Sequence, residues 1–277
     1  MSPPCGPFAI QDEQDLLRLY QMMRPTFLLT TLSAAAVLIF SNTGICADSA
    51  EELIRKGDGF SAKFQSTEAL KNFLPAEKLD PKNAQLLVRI SQQYRHLMSD
   101  AVKREDKVQL GSTAVNYALR AVALAPNDPE AHLALAISYG KVTPLLGNKE
   151  QFVNSPLIKA AADRSIALNP TNDLAWQVLG RWYLAVADVG GFKRAMAKVA
   201  YGSLPTAKYD DAVLCFEKAI LLKPTRLMHH IELGRTYVQM GRKDDARKSI
   251  TKGLALPETE KDDPETKERG RQMLQKL

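Results

Sequence analysis

The sequence predicts an all-α protein, an array of about five helical hairpins with insertions and a C-terminal capping helix. Three observations predict it. Hydrophobic residues make up 45% of the chain and aromatics only 7%, Ala and Leu are abundant, and no stretch alternates Val, Ile and Thr as a half-buried strand would. Five segments end alike, in Leu79-Asp80-Pro81, Leu124-Ala125-Pro126, Leu168-Asn169-Pro170, Leu222-Lys223-Pro224 and Leu256-Pro257. Before each ending comes the same order of residues: a small residue, an aromatic three positions on, and then a second apolar run.

At the start of the chain, residues 1–25 hold Asp12, Glu13 and Asp15 and read as an unstructured or non-native leader. Residues 26–47 carry no charge, follow Arg24 and end in small residues before Asp48. That is the anatomy of a secretory signal peptide cleaved after Ala47. The run is also long enough to anchor in a bilayer, although its Ser and Thr weaken it as a span. The acidic leader is wrong for a signal n-region, so Met22 or Met23 is the expected start of translation. On this reading residues 48–277 form the folded domain, exported to a periplasm or organelle lumen or held at a membrane.

The first hairpin carries Leu53, Gly57 and Phe60, then Ala69, Phe73, Ala76 and Pro81. The second carries Ile90, Ser91 and Tyr94, then Ala114, Ala118, Ala121 and Pro126. In the third, Leu135, Ala136 and Tyr139 precede a helix ending at Pro170. The fourth has Trp176, Leu179, Gly180 and Tyr183, then Ala212, Phe216, Ala219 and Pro224. The fifth has Leu233, Gly234 and Tyr237, then Ala246, Ile250 and Pro257. The small residue lets the two helices of a hairpin approach, and proline ends the second helix because it cannot continue it. Asp128, Asn172 and Asp173 stand where a first helix needs an N-cap. No hairpin buries its apolar face alone, so the array is stable only by stacking.

The fourth unit resembles a tetratricopeptide repeat, whose W-x2-L-G-x2-Y opening it reproduces. The closing prolines at 81, 126, 170, 224 and 257 lie mostly farther apart than the usual period of about 34 residues, so the middle three units contain insertions. The longest insertion, in the fourth unit, reads as an amphipathic helix. Phe192 and Met196 oppose Lys193, Arg194 and Lys198, with Gly190-Gly191 before it and Leu204-Pro205 after it.

That pattern narrows the resemblance. Residues 179–183 (Leu-Gly-Arg-Trp-Tyr), 192–198, Leu204-Pro205-Thr206, Tyr209 to Ala212, Phe216 to Ala219 and 233–237 resemble the regulator of microtubule dynamics family, over roughly residues 80–277. The resemblance implies a tetratricopeptide-like protein linked to microtubules, mitochondria or lipid-binding membrane contacts. It implies binding without catalysis, tubulin as a partner, and a cytoplasmic or mitochondrial location as the alternative to export.

In such arrays, positions 5, 9, 12 and 13 of the first helices line a groove. Here they supply Leu133, Ile137, Gln177 and Ile231 as a mixed floor and Arg95, Lys141, Arg181 and Arg235 as cations. A groove of this kind suits a protein or peptide segment, with anionic lipid as the alternative. A second possibility is that the inserted helix fills it.

The formal charge is +6, spread along the chain rather than gathered on one face, so a dedicated nucleic-acid binder is not expected. Cys5, Cys46 and Cys215 have neither metal-ligand nor disulfide spacing. No Gly-rich phosphate loop, H-E-x-x-H or nucleophile elbow occurs. No cofactor, metal or catalytic activity is therefore expected. His132 and His230 share position 4 with Trp176 and read as packing residues. His229 and His230 are adjacent and point about 100° apart on a helix, so they cannot chelate one ion as an i, i+4 pair would. Asp262-Asp263 reads as a helix-entry charge pair before Pro264.

Overall fold

The computed structural model describes residues 48–191, 194 and 205–277. Residues 1–25, residues 26–47, which the sequence reads as a signal or anchor, and Phe192, Lys193, Met196 and Lys198 of the expected inserted helix lie outside the described residues. Eleven α-helices are described: α1 (Ala50–Ser61), α2 (Ser66–Leu79), α3 (Ala84–Asp100), α4 (Arg104–Leu124), α5 (Pro129–Val142), α6 (Asn148–Leu168), α7 (Asp173–Ala187), α8 (Tyr209–Leu222), α9 (Leu227–Gln239), α10 (Lys243–Ala255) and α11 (Asp263–Gln275). Pairs α1/α2 through α9/α10 are the five expected hairpins, and α11 packs on α9 and α10 as the capping helix.

Each small residue does the work expected of it. A Cβ on Gly57 would collide with Phe73 Cε1, one on Gly180 would meet Phe216 Cε1 at 2.8 Å, and one on Gly234 would collide with Ile250 Cγ1. The second-helix side chain thus occupies the space that a first-helix Cβ would take. In the second unit Ser91 replaces Gly and its hydroxyl donates to the Ala114 carbonyl across the hairpin (2.8 Å). Ala69, Ala76, Ala114, Ala118, Ala121, Ala212, Ala219 and Ala246 are all fully buried. Burial of these faces stabilises at about 25 cal/mol per Å² of apolar surface.

Four of the five closures are nearly identical. Asp80, Ala125, Asn169 and Lys223 end their helices at φ −133, −136, −143 and −138, with ψ between 73 and 89. The residue before proline is pushed out of the helical region, which accounts for the shared geometry. Three residues later the N–H of Asn83, Asp128, Asn172 and Arg226 donates back to the closing residue's carbonyl. Asn83, Asp128 and Asn172 then cap the next helix through their side chains. Asp173 does not cap: its carboxylate turns to Arg226 (2.8 Å) and His229 (2.8 Å).

In the third, fourth and fifth units the position-4 side chains tie the new helix to the preceding proline. His132 Nε2 donates to the Pro126 carbonyl (2.7 Å), Trp176 Nε1 to that of Pro170 (2.9 Å) and His230 Nε2 to that of Pro224 (2.9 Å). These histidines are structural, as their register predicts. In the second and third units the extra residues lengthen helices rather than form loops. Helix α3 has 17 residues and α4 and α6 have 21 each, and a 3₁₀ turn (Thr143–Leu145) follows α5. The other described helices have 12 to 15 residues, as α1 and α7 show.

Candidate functional site

The first helices α3, α5, α7 and α9 neighbour one another in order and carry the predicted groove residues. The chain's own C-terminal segment covers part of that face. After α10 the fifth closure departs from the other four: Leu256 lies at φ −76, ψ 150 and Pro257 follows without an intervening residue. The chain then runs on instead of starting another hairpin. Glu260 meets Arg226 (2.8 Å), Lys261 meets Asp100 at the end of α3 (2.8 Å), and Asp262 accepts from Lys141 at the end of α5. One carboxylate oxygen of Asp263 accepts from the N–H of both Thr259 and Glu260 (2.8 Å each), which holds this strap in a tight turn before α11. Asp263 therefore acts at the helix entry as expected. Asp262 does not: it reaches across the array.

The structure distributes the predicted groove residues as follows. Leu133 and Gln177 are buried, at 3% exposure each. They belong to the packed array rather than to an open floor, and Gln177 Nε2 has no hydrogen-bond partner. Ile231 is buried under α11, where a Cβ on Gly270 would lie 2.8 Å from its Cδ1. Ile137 is half-buried. The apolar groove floor expected from helix positions is thus mostly core, because neighbouring first helices and α11 close over it.

The cations remain. Arg95 is buried and donates from Nη1 to Ser91 Oγ (3.1 Å) and Ser138 Oγ (3.2 Å). Burial pulls its guanidinium down to about 10, with the Asp262 carboxylate opposing. Lys141 Nζ donates to Ser99 Oγ (2.9 Å) as well as to Asp262. Burial would raise the Asp262 carboxyl, but Lys141 overcomes it and holds the group below the usual carboxylate range. Burial and the charges of Arg95 and Lys141 push the neighbouring His96 down to about 4, so its ring is neutral at pH 7. Arg181 is half-buried and has neither an ion pair nor a hydrogen bond among the described residues. It lies near enough to act electrostatically on both Lys141 and Glu232. Glu232, nearly fully buried, is met by Arg235 (3.3 Å) and Arg269 of α11 (3.4 Å).

The inserted helix does not present Arg194 as a free cation. Its guanidinium donates to the Val186 carbonyl at the end of α7 and to the Pro205 carbonyl before α8 (2.8 Å each). It closes the junction of these two helices by satisfying chain-end carbonyls. Sequence reasoning missed Asp262, Lys261, Glu232 and Arg269. Its available signals were the missing residue between Leu256 and Pro257 and the charged run behind it. Among the described residues no three His, Cys, Asp or Glu side chains gather as a metal group, and no helix is long and apolar enough to cross a membrane.

With this geometry in view, comparison with known proteins is informative. The family model "Regulator of microtubule dynamics protein 1-3" matches residues 53–277. The chain belongs to this family. Regulator of microtubule dynamics protein 1 of Bos taurus is 27% identical over 226 residues, covering 81% of this chain and 71% of that protein. Its Caenorhabditis elegans counterpart is 24% identical over 181 residues, covering 65% of this chain and 80% of that protein. Regulator of microtubule dynamics protein 2 of Mus musculus is 24% identical, covering 85% of this chain and 58% of that protein. Among solved structures, a thermophilic tetratricopeptide-repeat protein of Thermus thermophilus is similar with a TM-score of 0.60 at 18% identity, covering 82% of this chain and all of that one. That likeness supports the fold. The family match over 53–277 includes the strap and α11 with the hairpins, so the face and its cover lie in one family unit.

Proposed function

We propose that this chain is a non-catalytic interaction scaffold that regulates microtubule dynamics, holding a protein partner on the face formed by α3, α5, α7 and α9. The match of the regulator of microtubule dynamics family model to residues 53–277 carries this reading. The geometry supports it. The polar side chains of the face are arranged as ion pairs and hydroxyl contacts that hold surfaces together, and half-buried Arg181 has neither an ion pair nor a hydrogen bond among the described residues. Hairpin arrays use such faces to hold extended segments or helices of other proteins.

The test is co-sedimentation of the full chain with stabilised microtubules, alongside tubulin assembly followed by turbidity. The expected result is a saturable fraction in the pellet and a changed assembly rate. A chain that stays in the supernatant and leaves assembly unaltered overturns the reading. Anionic lipid is the second reading and draws on the same cations. Stoichiometric lipid in the purified protein would favour it.

A further inference from the structure

The strap has the placement of a ligand. It is a short segment, Glu258-Thr259-Glu260-Lys261-Asp262, that turns before α11 and whose side chains engage α3, α5 and the N-cap of α9 through Asp100, Lys141 and Arg226. Each of its carboxylates meets one cation: Glu258 meets Lys267, Glu260 meets Arg226 and Asp262 meets Lys141. Arg95, Lys141 and Arg181 stand on three successive first helices, and Arg95 and Arg181 both act on Lys141. Asp262 is the one carboxylate that pairs with any of these three among the described residues. Arg95 has hydroxyl partners only, and Arg181 has none among the described residues.

We infer that this row of cations is a docking site for an acidic, extended segment of a partner protein, and that Asp262 occupies it as an internal substitute which the partner displaces. The inference rests on the scaffold reading and specifies the chemistry of its partner. Adjacent packed helices lie about 8–10 Å apart, and an extended chain advances about 3.3 Å per residue. A carboxylate at every third residue of the partner therefore meets Arg95, Lys141 and Arg181 in turn. The strap already sets carboxylates on two cations of this face, Glu260 on Arg226 and Asp262 on Lys141. Burial, and after it the charges of Arg95 and Lys141, keep the neighbouring His96 ring neutral, so it adds no further cation to the row. An acyl chain has little to bind here, since Leu133 and Ile231 are already buried in the array.

The probe is a fluorescein-labelled peptide of about twelve residues repeating Glu-Ser-Gly, with a Gln-Ser-Gly peptide as control, measured by anisotropy on the full chain. Asp262→Asn should tighten binding about tenfold by vacating Lys141, and Arg181→Gln should weaken it by a similar factor. Saturating peptide should also speed hydrogen exchange across residues 257–266 of the unsubstituted chain, a readout that needs no variant. The inference is overturned if Asp262→Asn fails to tighten binding, if Arg181→Gln leaves it unchanged, or if exchange in the strap slows. It is also overturned if Asp262→Asn tightens binding to phosphatidylserine vesicles and not to the peptide. If microtubule co-sedimentation succeeds while the peptide fails, the scaffold reading stands and the acidic-segment inference alone falls.

Discussion

At the first four hairpin closures the residue before proline sits near φ −140 and the chain doubles back into a new helix. At the fifth, Leu256 runs directly into Pro257 at φ −76 and the chain turns onto the ends of its own first helices. The first four are held by local chemistry: a restricted residue before proline, a backbone bond three residues on and, in the last three of them, a side chain that returns to the proline carbonyl. The strap is held by charge pairs to residues far away in sequence, at partly exposed positions. Packing of the hairpins should therefore dominate stability, while the strap contributes less and is the part a partner can move.

The sharpest way to break this comparison is to damage both regions and rank the losses. Phe216→Ala removes the ring that fills the space over Gly180, and such changes cost about 3–5 kcal/mol. Urea denaturation should show that loss across the whole transition. A cost near that of a strap variant would contradict the division.

A smaller effect should follow insertion of one alanine between Leu256 and Pro257, which restores the spacing of the other closures. The strap should lift from Lys141 and Asp100, costing on the order of 2 kcal/mol and raising hydrogen exchange in residues 257–277. Unchanged exchange would show that the missing residue is not what directs the strap.

Smaller again is a pH effect. Because the folded chain holds His96 near 4, below its ordinary value of about 6.5, the unfolded chain binds the proton first as pH falls. Stability from this group is full above about pH 6.5 and declines towards pH 4. The thermal midpoint should therefore drop across that window, and His96→Phe should flatten the slope at its upper end. Asp262, with its carboxyl held low by Lys141, adds a further loss only at still lower pH.

The hairpins were legible in the sequence because their determinants are local. Gly57, Gly180 and Gly234, the closing prolines, and the position-4 series of His132, Trp176 and His230 all act within one unit or across one turn. The register they set placed every first helix correctly. The groove was only half legible. Positions 9, 12 and 13 supplied the cations Arg95, Lys141 and Arg181. The apolar positions look like floor in the sequence, although Leu133 and Ile231 are packed against neighbours, because periodicity cannot separate a buried face from an open one. Asp262 was not legible as a groove residue, since its partner Lys141 lies 121 positions away. The role of Arg194 is hidden for a related reason: a cation on an amphipathic pattern looks solvated until the carbonyls of Val186 and Pro205 are seen beside it.

The central claim is that the C-terminal strap lies on the first helices through the pair of Lys141 and Asp262, and a double-mutant cycle tests it most directly. Lys141→Ala, Asp262→Ala and the double variant would be compared by urea denaturation of the full chain. A partly buried, hydrogen-bonded charge pair predicts a coupling of about 1–2 kcal/mol. Additive losses, with a coupling indistinguishable from zero, would contradict the account.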